Sequence, residues 1–342
     1  MKVIVAHAAK DLRLESRAMP KLGPGQVLIK MAAGGICGSD LHYYKHGGFG
    51  PIQLKEPMIL GHEVAGHIEA LGEGVTGLDV GMLAAVSPSR PCNSCKYCLE
   101  GKQNHCLDMR FYGSAMPFPH IQGAFREYIV VEAAQCAPAG DLSAGEAAMA
   151  EPLSVVLHAA KQAGDLLGKR VLVTGCGPIG LLAVLVARTS GAVEILATDI
   201  SDFTLSKARE VGADATVNVA KQSGALSAFE ADKGHFDVLF ECSGVASALA
   251  SAVAVLRPGA TIVQLGLGGD MTLPMQAMTA KELQLKGSFR FHFEFFTAVE
   301  MMRKRQLDVK PLITHVMGID DAVAAFDCAD DRSKAIKVNI AF

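Results

Sequence analysis

The chain has 342 residues, of which 50% are hydrophobic and 20% charged, with a formal net charge of -3. The apolar content is sufficient for a packed core, and the length favours two domains over one. The charge balance excludes the basic field that binding to a phosphate backbone requires, so we expect no nucleic acid partner. The start, "MKVIVAHAAKDLRLES", soon reaches charged residues, and no later segment approaches the roughly 20 apolar residues of a membrane span. These features predict a cytoplasmic protein with no membrane partner.

The first half of the chain is dense in glycine and proline and carries short runs with β propensity. Examples are "QVLIKMAA" at 26–33 and "REYIVV" at 126–131, separated by turn residues. Short apolar runs between turn signals are typical of strands joined by irregular loops. We therefore expect a mostly β domain in this half.

The middle of the chain has a different pattern, which begins near residue 145. The segment "GKRVLVTGCGPIGLLAVLVARTSGAVEILATDI" at 168–200 alternates strand, glycine turn, alanine-rich helix and strand. Further candidates for buried strands are "FDVLFECSG" at 236–244 and "TIVQLGLGG" at 261–269. This alternation is the pattern of βαβ units in a parallel sheet. The sequence therefore predicts a doubly wound, nucleotide-binding type of domain.

Gly175, Gly177 and Gly180 form a G-x-G-x-x-G motif between the strand "RVLVT" and the helix "LLAVLVA". The glycines permit a tight turn, close approach of a pyrophosphate and close packing of helix on strand, and the helix N-terminus offers free N–H groups. Asp199 ends the next strand, where a carboxylate accepts hydrogen bonds from ribose hydroxyls and repels a 2'-phosphate. No lysine or arginine follows before Lys207, so we predict NAD in preference to NADP.

The most conspicuous chemical signature is a group of four cysteines with the spacing C-x2-C-x2-C-x7-C. Clustered thiols in a reducing compartment are more often metal ligands than disulfides. Four thiolates close the coordination shell of zinc, so such a site contributes folding free energy rather than catalysis. The remaining isolated cysteines, apart from Cys37, are expected to be buried apolar residues. The predicted structural zinc ligands are Cys92, Cys95, Cys98 and Cys106.

A catalytic metal needs an open coordination position, and candidate ligands for one lie outside the cysteine cluster. They are Cys37 in "GGICGSDLHYY", His62 and Glu63 in "LGHEVAGH", and Glu151 in "MAEPLSV". A thiolate, an imidazole and a carboxylate give three protein ligands and leave room for a water or a substrate oxygen. Each residue alone is weak evidence, because single cysteines and His-Glu pairs are common in structural roles.

Together, "GHEVAG", the four-cysteine group and "GCGPIG" resemble the zinc-containing medium-chain dehydrogenases over essentially the whole chain. Within that family, "CGSDLHYY", "EPLSV" and "GSFRF" are similar to the sorbitol dehydrogenase branch. The stretch "DMRFYGSAMPFPH" is similar to the idonate dehydrogenases of this branch. The resemblance therefore implies oxidation of a secondary alcohol of a sugar acid or polyol, with hydride transfer to NAD.

The resemblance also implies an α/β fold in two domains. A GroES-like, mostly β catalytic domain is expected at 1–147 and 288–342, with the structural zinc lobe at about 88–110. A Rossmann domain with a doubly wound parallel sheet is expected at 148–287. The resemblance further implies a homotetramer and two zinc ions per chain, one catalytic and one structural.

Roles for individual residues follow from the same resemblance. The catalytic zinc would be held by Cys37 and His62 with either Glu63 or Glu151, and this choice stays open. Asp40 would orient the ligand imidazole. Ser39 would pass a proton by way of the cofactor ribose to His42, and zinc-bound water is the alternative to His42 as the base. Further cofactor residues implied are Pro178, Ile179, Leu265, Gly266, Leu267, Ser288, Phe289 and Arg290. Implied substrate residues are Tyr43, Arg110, Phe111, His120 and Arg290.

Two alternatives remain at this stage, and a third is disfavoured. A neutral-polyol dehydrogenase of the sorbitol or xylitol type would use the same motifs. A non-catalytic, nucleotide-binding protein of this fold would retain only a vestigial metal centre. A zinc-binding transcription factor is disfavoured by the charge balance and by the absence of histidines at finger spacing.

Overall fold

The computed structural model describes residues 1–222 and 224–342 and divides the chain into two compact units. Unit 1 comprises 1–154, 291–331 and 337–342, and unit 2 comprises 155–290 and 332–336. The predicted boundaries lay at 147/148 and 287/288. The observed boundaries lie at 154/155 and 290/291, a few residues further along the chain than predicted. The short segment 332–336, which was expected in the catalytic domain, belongs to unit 2.

The strands are β1 (Lys2–Ala8), β2 (Asp11–Ser16), β3 (Gln26–Gly35), β4 (Gly48–Phe49), β5 (Ile52–Gln53), β6 (Met58–Ile59), β7 (Glu63–Leu71), β8 (Leu83–Val86), β9 (Ser89–Arg90), β10 (Arg110–Phe111), β11 (Tyr128–Glu132), β12 (Cys136–Pro138), β13 (Arg170–Thr174), β14 (Glu194–Asp199), β15 (Ala215–Asn218), β16 (Phe236–Glu241), β17 (Leu256–Gln264), β18 (Gln284–Gly287), β19 (Ile313–Gly318) and β20 (Lys337–Ala341). The α-helices are α1 (Gly38–His46), α2 (Lys96–Leu99), α3 (Ala144–Ala148), α4 (Ala150–Ala163), α5 (Pro178–Thr189), α6 (Asp202–Glu210), α7 (Ala246–Val255), α8 (Met275–Ala280), α9 (Glu294–Arg303) and α10 (Ala322–Asp330). Short 3-10 turns occur at Gln103–His105, Ala133–Gln135, Ala225–Phe229, Ala231–Lys233, Lys310–Leu312 and Ile319–Asp321.

Unit 1 is built on a mixed sheet in the order β12-β8-β7-β3-β20-β19. The long strand β3 organises it, because β7 pairs along one side while β11 and β20 share the other. A smaller sheet has the order β2-β1-β6. The closing strand β20 thus returns from the end of the chain to the sheet formed by its beginning.

Unit 2 contains a parallel sheet in the order β15-β14-β13-β16-β17-β18. Its strands are buried runs such as "RVLVT" and "FDVLFE", as expected of a sheet covered on both faces. The chain leaves β13 towards β14 on one side and later returns to β16 on the other. Ligands of such sheets bind outside the carboxyl ends of the strands at this reversal. The predicted fold class is confirmed.

Among the described residues, no helix combines the length and apolar character needed to cross a membrane.

The core of unit 2 offers a direct stability test. Leu239 on β16 is completely buried in a cluster of aliphatic side chains, whereas Leu167 is 70% exposed. Leu239→Ala should lower the free energy of unfolding by about 2–5 kcal/mol, because it removes buried methyl groups and leaves a cavity. Leu167→Ala should change it by less than about 0.5 kcal/mol. Denaturant unfolding measures both, and equal effects of the two variants would contradict this core.

Candidate functional site

Cys37, His62 and Glu63 come together in unit 1 at the ends of two paired strands. β3 ends at Gly35, Cys37 caps the N-terminus of α1, and Glu63 begins β7 directly opposite Gly35. A Cβ on Gly35 would overlap Oε2 of Glu63, so this carboxylate needs a glycine beside it. One ligand atom from each of the three residues lies within 4.8 Å of the other two. The local chain path therefore forms a potential metal site.

Lys337, at the start of β20, neutralises part of this charge. Its Nζ lies 2.8 Å from Oε1 and 2.6 Å from Oε2 of Glu63 and also donates to the carbonyl oxygen of Ile36. The side chains of Lys337 and Glu63 are 2% and 1% exposed, so water contributes little to their solvation. Burial alone would lower the pKa of Lys337, but Glu63 and Cys37 raise it above its ordinary value. This lysine was not among the predicted site residues, because it lies 274 residues away from Glu63 in the chain.

Asp40 joins the two segments that carry the candidate ligands. It is fully buried, and its carboxylate accepts hydrogen bonds from the backbone N–H of Cys37 and of Gly61, both at 3.0 Å. Its Oδ1 lies 3.8 Å from Nδ1 of His62, which is too long for a hydrogen bond. Asp40 was predicted to orient the imidazole; in this structure it holds the backbone on either side of the ligands.

The buried acidic groups around His62 indicate a site suited to a cation. Burial, followed by the charge of Glu63, raises the pKa of Cys37 to about 11. Burial raises the pKa of Glu151 to about 8; His62 opposes that shift, while Glu63 and Cys37 add to it. The Nδ1 atom of His62 is buried without a hydrogen-bond partner in the described part of the chain. A metal cation fits this arrangement, because it would compensate a thiolate and two carboxylates that share one dry site.

The four clustered cysteines form a second site in unit 1. Cys95 caps the short helix α2, and the four sulfur atoms lie within 4.8 Å of one another. Backbone N–H groups point at the sulfurs, with Cys92 donating to Cys106 Sγ at 3.2 Å and Cys95 to Cys92 Sγ at 3.3 Å. Hydrogen bonds from Ser94 lower the pKa of Cys92 to about 6. Four thiolate ligands suit a tetrahedral metal ion and leave no coordination position open for water or substrate.

The glycine motif forms a tight turn between β13 and α5 in unit 2. Gly175 has φ +83°, a left-handed conformation, and a Cβ there would lie 2.8 Å from the backbone N of Ser243. A Cβ on Gly180 would overlap the carbonyl oxygen of Gly175. Gly177 caps α5, and Pro178 and Ile179 form its first turn. The turn therefore has the close backbone packing and the helix N-terminus that a pyrophosphate site requires.

Asp199 lies at the end of β14 beside this turn. Its Oδ2 accepts a hydrogen bond from the backbone N–H of Cys176 at 2.6 Å, and Oδ1 accepts from Ile200 and Ser201. The carboxylate is thus fixed beside the turn, where it can also meet ribose hydroxyls.

Arg332, which was not among the predicted cofactor residues, is a cation near the same turn. Its Nη1 lies 3.2 Å from the position that a Cβ on Gly177 would take, and its carbonyl oxygen accepts a hydrogen bond from Ser201 Oγ. The local sequence after Asp199 gives no sign of this cation, because Arg332 lies 131 residues beyond Ser201 in the chain.

The predicted substrate residues of the first unit have different environments. The ring of Phe111 lies 5.7 Å from that of His62, so it covers the imidazole. Arg110 is exposed, and because successive residues of a strand point to opposite sides, it is directed away from the side that Phe111 takes. Tyr43 is 2% exposed, and its hydroxyl accepts a hydrogen bond from the N–H of Ala115 at 3.0 Å. Phe111 borders the candidate metal site, whereas Arg110 and Tyr43 do not present free polar groups to it.

His120 was predicted to contact a substrate carboxylate, and in this structure its ring contacts the backbone of two loops. Nε2 accepts a hydrogen bond from the N–H of Lys55 at 2.9 Å, which leaves Nδ1 to donate to the carbonyl oxygen of Pro117 at 2.9 Å. Both ring nitrogens are therefore engaged by backbone, and His120 fixes two loops. The sequence could not predict these contacts, because the backbone partners of a loop histidine depend on how the loops pack in the folded chain.

Ser39 and His42 both lie on α1, three residues apart, and therefore on one face of the helix. His42 is exposed, and its ring lies 5.7 Å from that of Phe49.

The predicted cofactor residues of the second unit lie along the carboxyl edge of its sheet. Leu265, Gly266 and Leu267 follow β17, and Leu267 is 85% exposed. Arg290 adopts φ +53°, and its guanidinium carbon lies 5.1 Å from the centre of the Phe289 ring.

Two family profiles match the chain. "Alcohol dehydrogenase GroES-like domain" covers residues 23–141, and "Zinc-binding dehydrogenase" covers residues 178–304. The first match falls within unit 1. The second begins at the first residue of α5, directly after Gly177, covers most of unit 2 and continues through α9.

Characterised relatives extend over nearly the whole chain. L-idonate 5-dehydrogenase (NAD(P)(+)) from Escherichia coli K12 is 45% identical over 318 residues, covering 92% of this chain and 91% of the relative. Human sorbitol dehydrogenase is 36% identical over 330 residues, covering 95% and 91% of the two chains.

Solved structures give the same result. The crystal structure of L-idonate 5-dehydrogenase from Escherichia coli has a TM-score of 0.95 and 42% identity, covering 100% of this chain and 98% of that one. A Sinorhizobium meliloti protein bound to NADP has a TM-score of 0.90 and 28% identity, covering 100% and 99%. The chain therefore belongs to the zinc-dependent medium-chain polyol dehydrogenase family.

Proposed function

We propose that this protein oxidises the C5 secondary alcohol of L-idonate to 5-dehydro-D-gluconate with NAD, reversibly. The observation that carries the proposal is the convergence of Cys37, His62 and Glu63, with Glu151 buried in the same charged environment. The choice of substrate is supported by the 45% identity to an L-idonate 5-dehydrogenase. A neutral polyol such as sorbitol is the second candidate, supported by the 36% identity to sorbitol dehydrogenase.

The side chains divide the work as follows. When bound, zinc supplies Lewis acidity towards the substrate hydroxyl, and nicotinamide accepts the hydride. Cys37 and His62 hold the metal with Glu63 or Glu151 as the carboxylate, and both acids remain candidates. Asp40 and Lys337 keep the ligand segments in place through the contacts described above. Phe111 packs against the imidazole of His62.

A proton must leave the substrate hydroxyl as the hydride departs. We assign its passage to the Ser39 hydroxyl and then to the imidazole of His42, which share one face of α1. The exposed imidazole of His42 can release the proton to solvent as a general base.

The glycine turn and Asp199 support a nicotinamide dinucleotide as cofactor, and the repulsion between Asp199 and a 2'-phosphate supports NAD. Arg332 adds positive charge beside the turn. A homotetramer is part of the proposal through the family resemblance, and the cytoplasmic location predicted from the sequence is retained as part of it.

Two zinc sites with different roles predict different mutant behaviour. Cys95→Ser should lower the free energy of unfolding by about 3 kcal/mol or more, because a closed four-thiolate site contributes folding energy. Cys37→Ser should leave the fold intact and lower kcat at least about 1,000-fold, because it removes a ligand of the reacting metal. Metal analysis, thermal unfolding and NAD reduction measure these effects. Equal loss of fold in both variants, or full activity of Cys37→Ser, would contradict the division.

A substrate panel tests the proposed carboxylate recognition. Arg290→Ala should lower kcat/KM for L-idonate about tenfold or more, since charge-assisted hydrogen bonds contribute about 1.5–3 kcal/mol. The same variant should affect sorbitol and xylitol less than about threefold, because these polyols carry no carboxylate. Arg110→Ala is the matched control and should leave the ratio unchanged. Equal losses for acid and polyol would remove Arg290 from carboxylate recognition, and higher efficiency of the wild type with sorbitol would favour the second candidate.

Arg332 has its own test, in which Arg209→Ala is the control because Arg209 is an exposed arginine at the far end of α6. Arg332→Ala should weaken NAD binding about fivefold through loss of a cation beside the pyrophosphate turn. Isothermal titration with 5'-AMP and 2',5'-ADP then shows which phosphate of the cofactor Arg332 contacts. A larger loss for 2',5'-ADP means that Arg332 meets a 2'-phosphate and widens the cofactor range to NADP. If Arg332→Ala left the affinity for NAD, 5'-AMP and 2',5'-ADP unchanged, Arg332 would not be part of the cofactor site.

A further inference from the structure

Glu241, the last residue of β16, is a completely buried carboxylate at the carboxyl edge of the parallel sheet of unit 2. Its side chain accepts hydrogen bonds from Thr174 Oγ1 at 3.3 Å, from the backbone N–H of Ser243 at 2.9 Å and of Gly244 at 3.0 Å, and from the Ser243 hydroxyl. Gln264 Nε2 donates to it at 2.7 Å. A buried carboxylate is tolerated only when donors satisfy its oxygens. Its charge therefore fixes groups from three separate segments.

These segments pack closely around the carboxylate. Thr174 leads into the glycine turn, Ser243 and Gly244 follow β16, and Gln264 ends β17. A Cβ on Gly266 would lie 2.7 Å from Oε2 of Glu241, so the chain passes directly over the acid. The backbone N–H groups of Leu265 and Gly266 donate to the carbonyl oxygen of Glu241, both at 2.9 Å. The loop at 264–268 is thus held by both the backbone and the side chain of this residue.

Two polar atoms at the same edge lack partners in the part of the chain that the structure describes. Gln264 gives its amide nitrogen to Glu241 and to the carbonyl oxygen of Gly266, which leaves its buried Oε1 without a donor. The buried hydroxyl of Ser288 also has no partner, while the backbone N–H of Ser288 donates to the carbonyl oxygen of Gln264. Buried polar groups without partners are costly unless a ligand satisfies them. The contact with Glu241 sets the orientation of the Gln264 amide and so leaves Oε1 as an acceptor that a ligand could satisfy.

We propose that Glu241 is a positioning residue for the nicotinamide half of the dinucleotide. Asp199 and the pyrophosphate turn lie on the side of β13 and β14, whereas Glu241 and the loop at 264–268 belong to β16 and β17, across the reversal of strand order. The two halves of such a sheet bind the two halves of a dinucleotide. Glu241 therefore positions the nicotinamide half of the dinucleotide through the loop at 264–268, which it holds in place. The inference rests on the cofactor part of the proposed function.

The test compares the whole cofactor with its adenosine half on the zinc-loaded protein. Glu241→Gln replaces one acceptor oxygen with an NH2 group. This group would face the N–H donors that now bind Glu241, and the repulsion between donors would displace the loop at 264–268. The dissociation constant for NAD should rise about tenfold, equivalent to about 1.4 kcal/mol. The constant for 5'-AMP should change less than about twofold, because Asp199 and the turn are retained. Isothermal titration measures both, and thermal unfolding is recorded in parallel.

Asp237→Asn is the matched control, since Asp237 lies near the opposite end of β16 and pairs with Arg257. It should leave both dissociation constants unchanged. Gln264→Met removes the other partner of the Glu241–Gln264 hydrogen bond and should also weaken the binding of NAD but not of 5'-AMP. If Glu241→Gln does not fold, the result for Gln264→Met decides whether the inference holds. Equal weakening of NAD and 5'-AMP, or no weakening of either, would overturn the inference. Failure of the wild type to bind NAD would instead overturn the proposed cofactor, and this inference with it.

Discussion

Burial of negative charge is the constraint on which the site in unit 1 depends. A thiol and two carboxylates lie in an environment where water contributes little, and Lys337 compensates only part of their charge. Such a group of acids is stable in a folded chain when a cation completes it. The same constraint explains the backbone around it, since Asp40 orders both ligand-bearing segments and Gly35 leaves room for Glu63.

In unit 2 the equivalent constraint is satisfied without a metal. Glu241 is completely buried at the end of β16, and Asp199 is partly buried at the end of β14. Each accepts several hydrogen bonds from backbone N–H groups of the surrounding turns. Each acid thereby orders the loops that would contact a ligand. In both units, a carboxylate that costs free energy when buried determines the position of groups that act on cofactor or substrate.

The sequence predicted what depends on short-range patterns. The glycine turn, Asp199 and the cysteine group are recognisable because a few adjacent residues carry their geometry, and the two-domain α/β fold follows from the periodicity of the strands and helices. Lys337, Arg332 and Glu241 were missed because their roles arise from contacts with residues distant in the chain. Arg110 and His120 were placed in the substrate site from resemblance alone. The side to which a two-residue strand directs Arg110, and the backbone partners of His120, exist only in the folded chain.

Zinc X-ray absorption of the wild-type protein, combined with metal quantification, tests the two-site interpretation most directly. A closed four-thiolate site together with an open site containing one thiolate should give about two zinc ions per chain and an average of about 2.5 sulfur ligands per zinc, the remainder being nitrogen and oxygen. One zinc ion per chain with about four sulfur ligands would contradict it, because the cluster of Cys37, His62 and Glu63 would then hold no zinc.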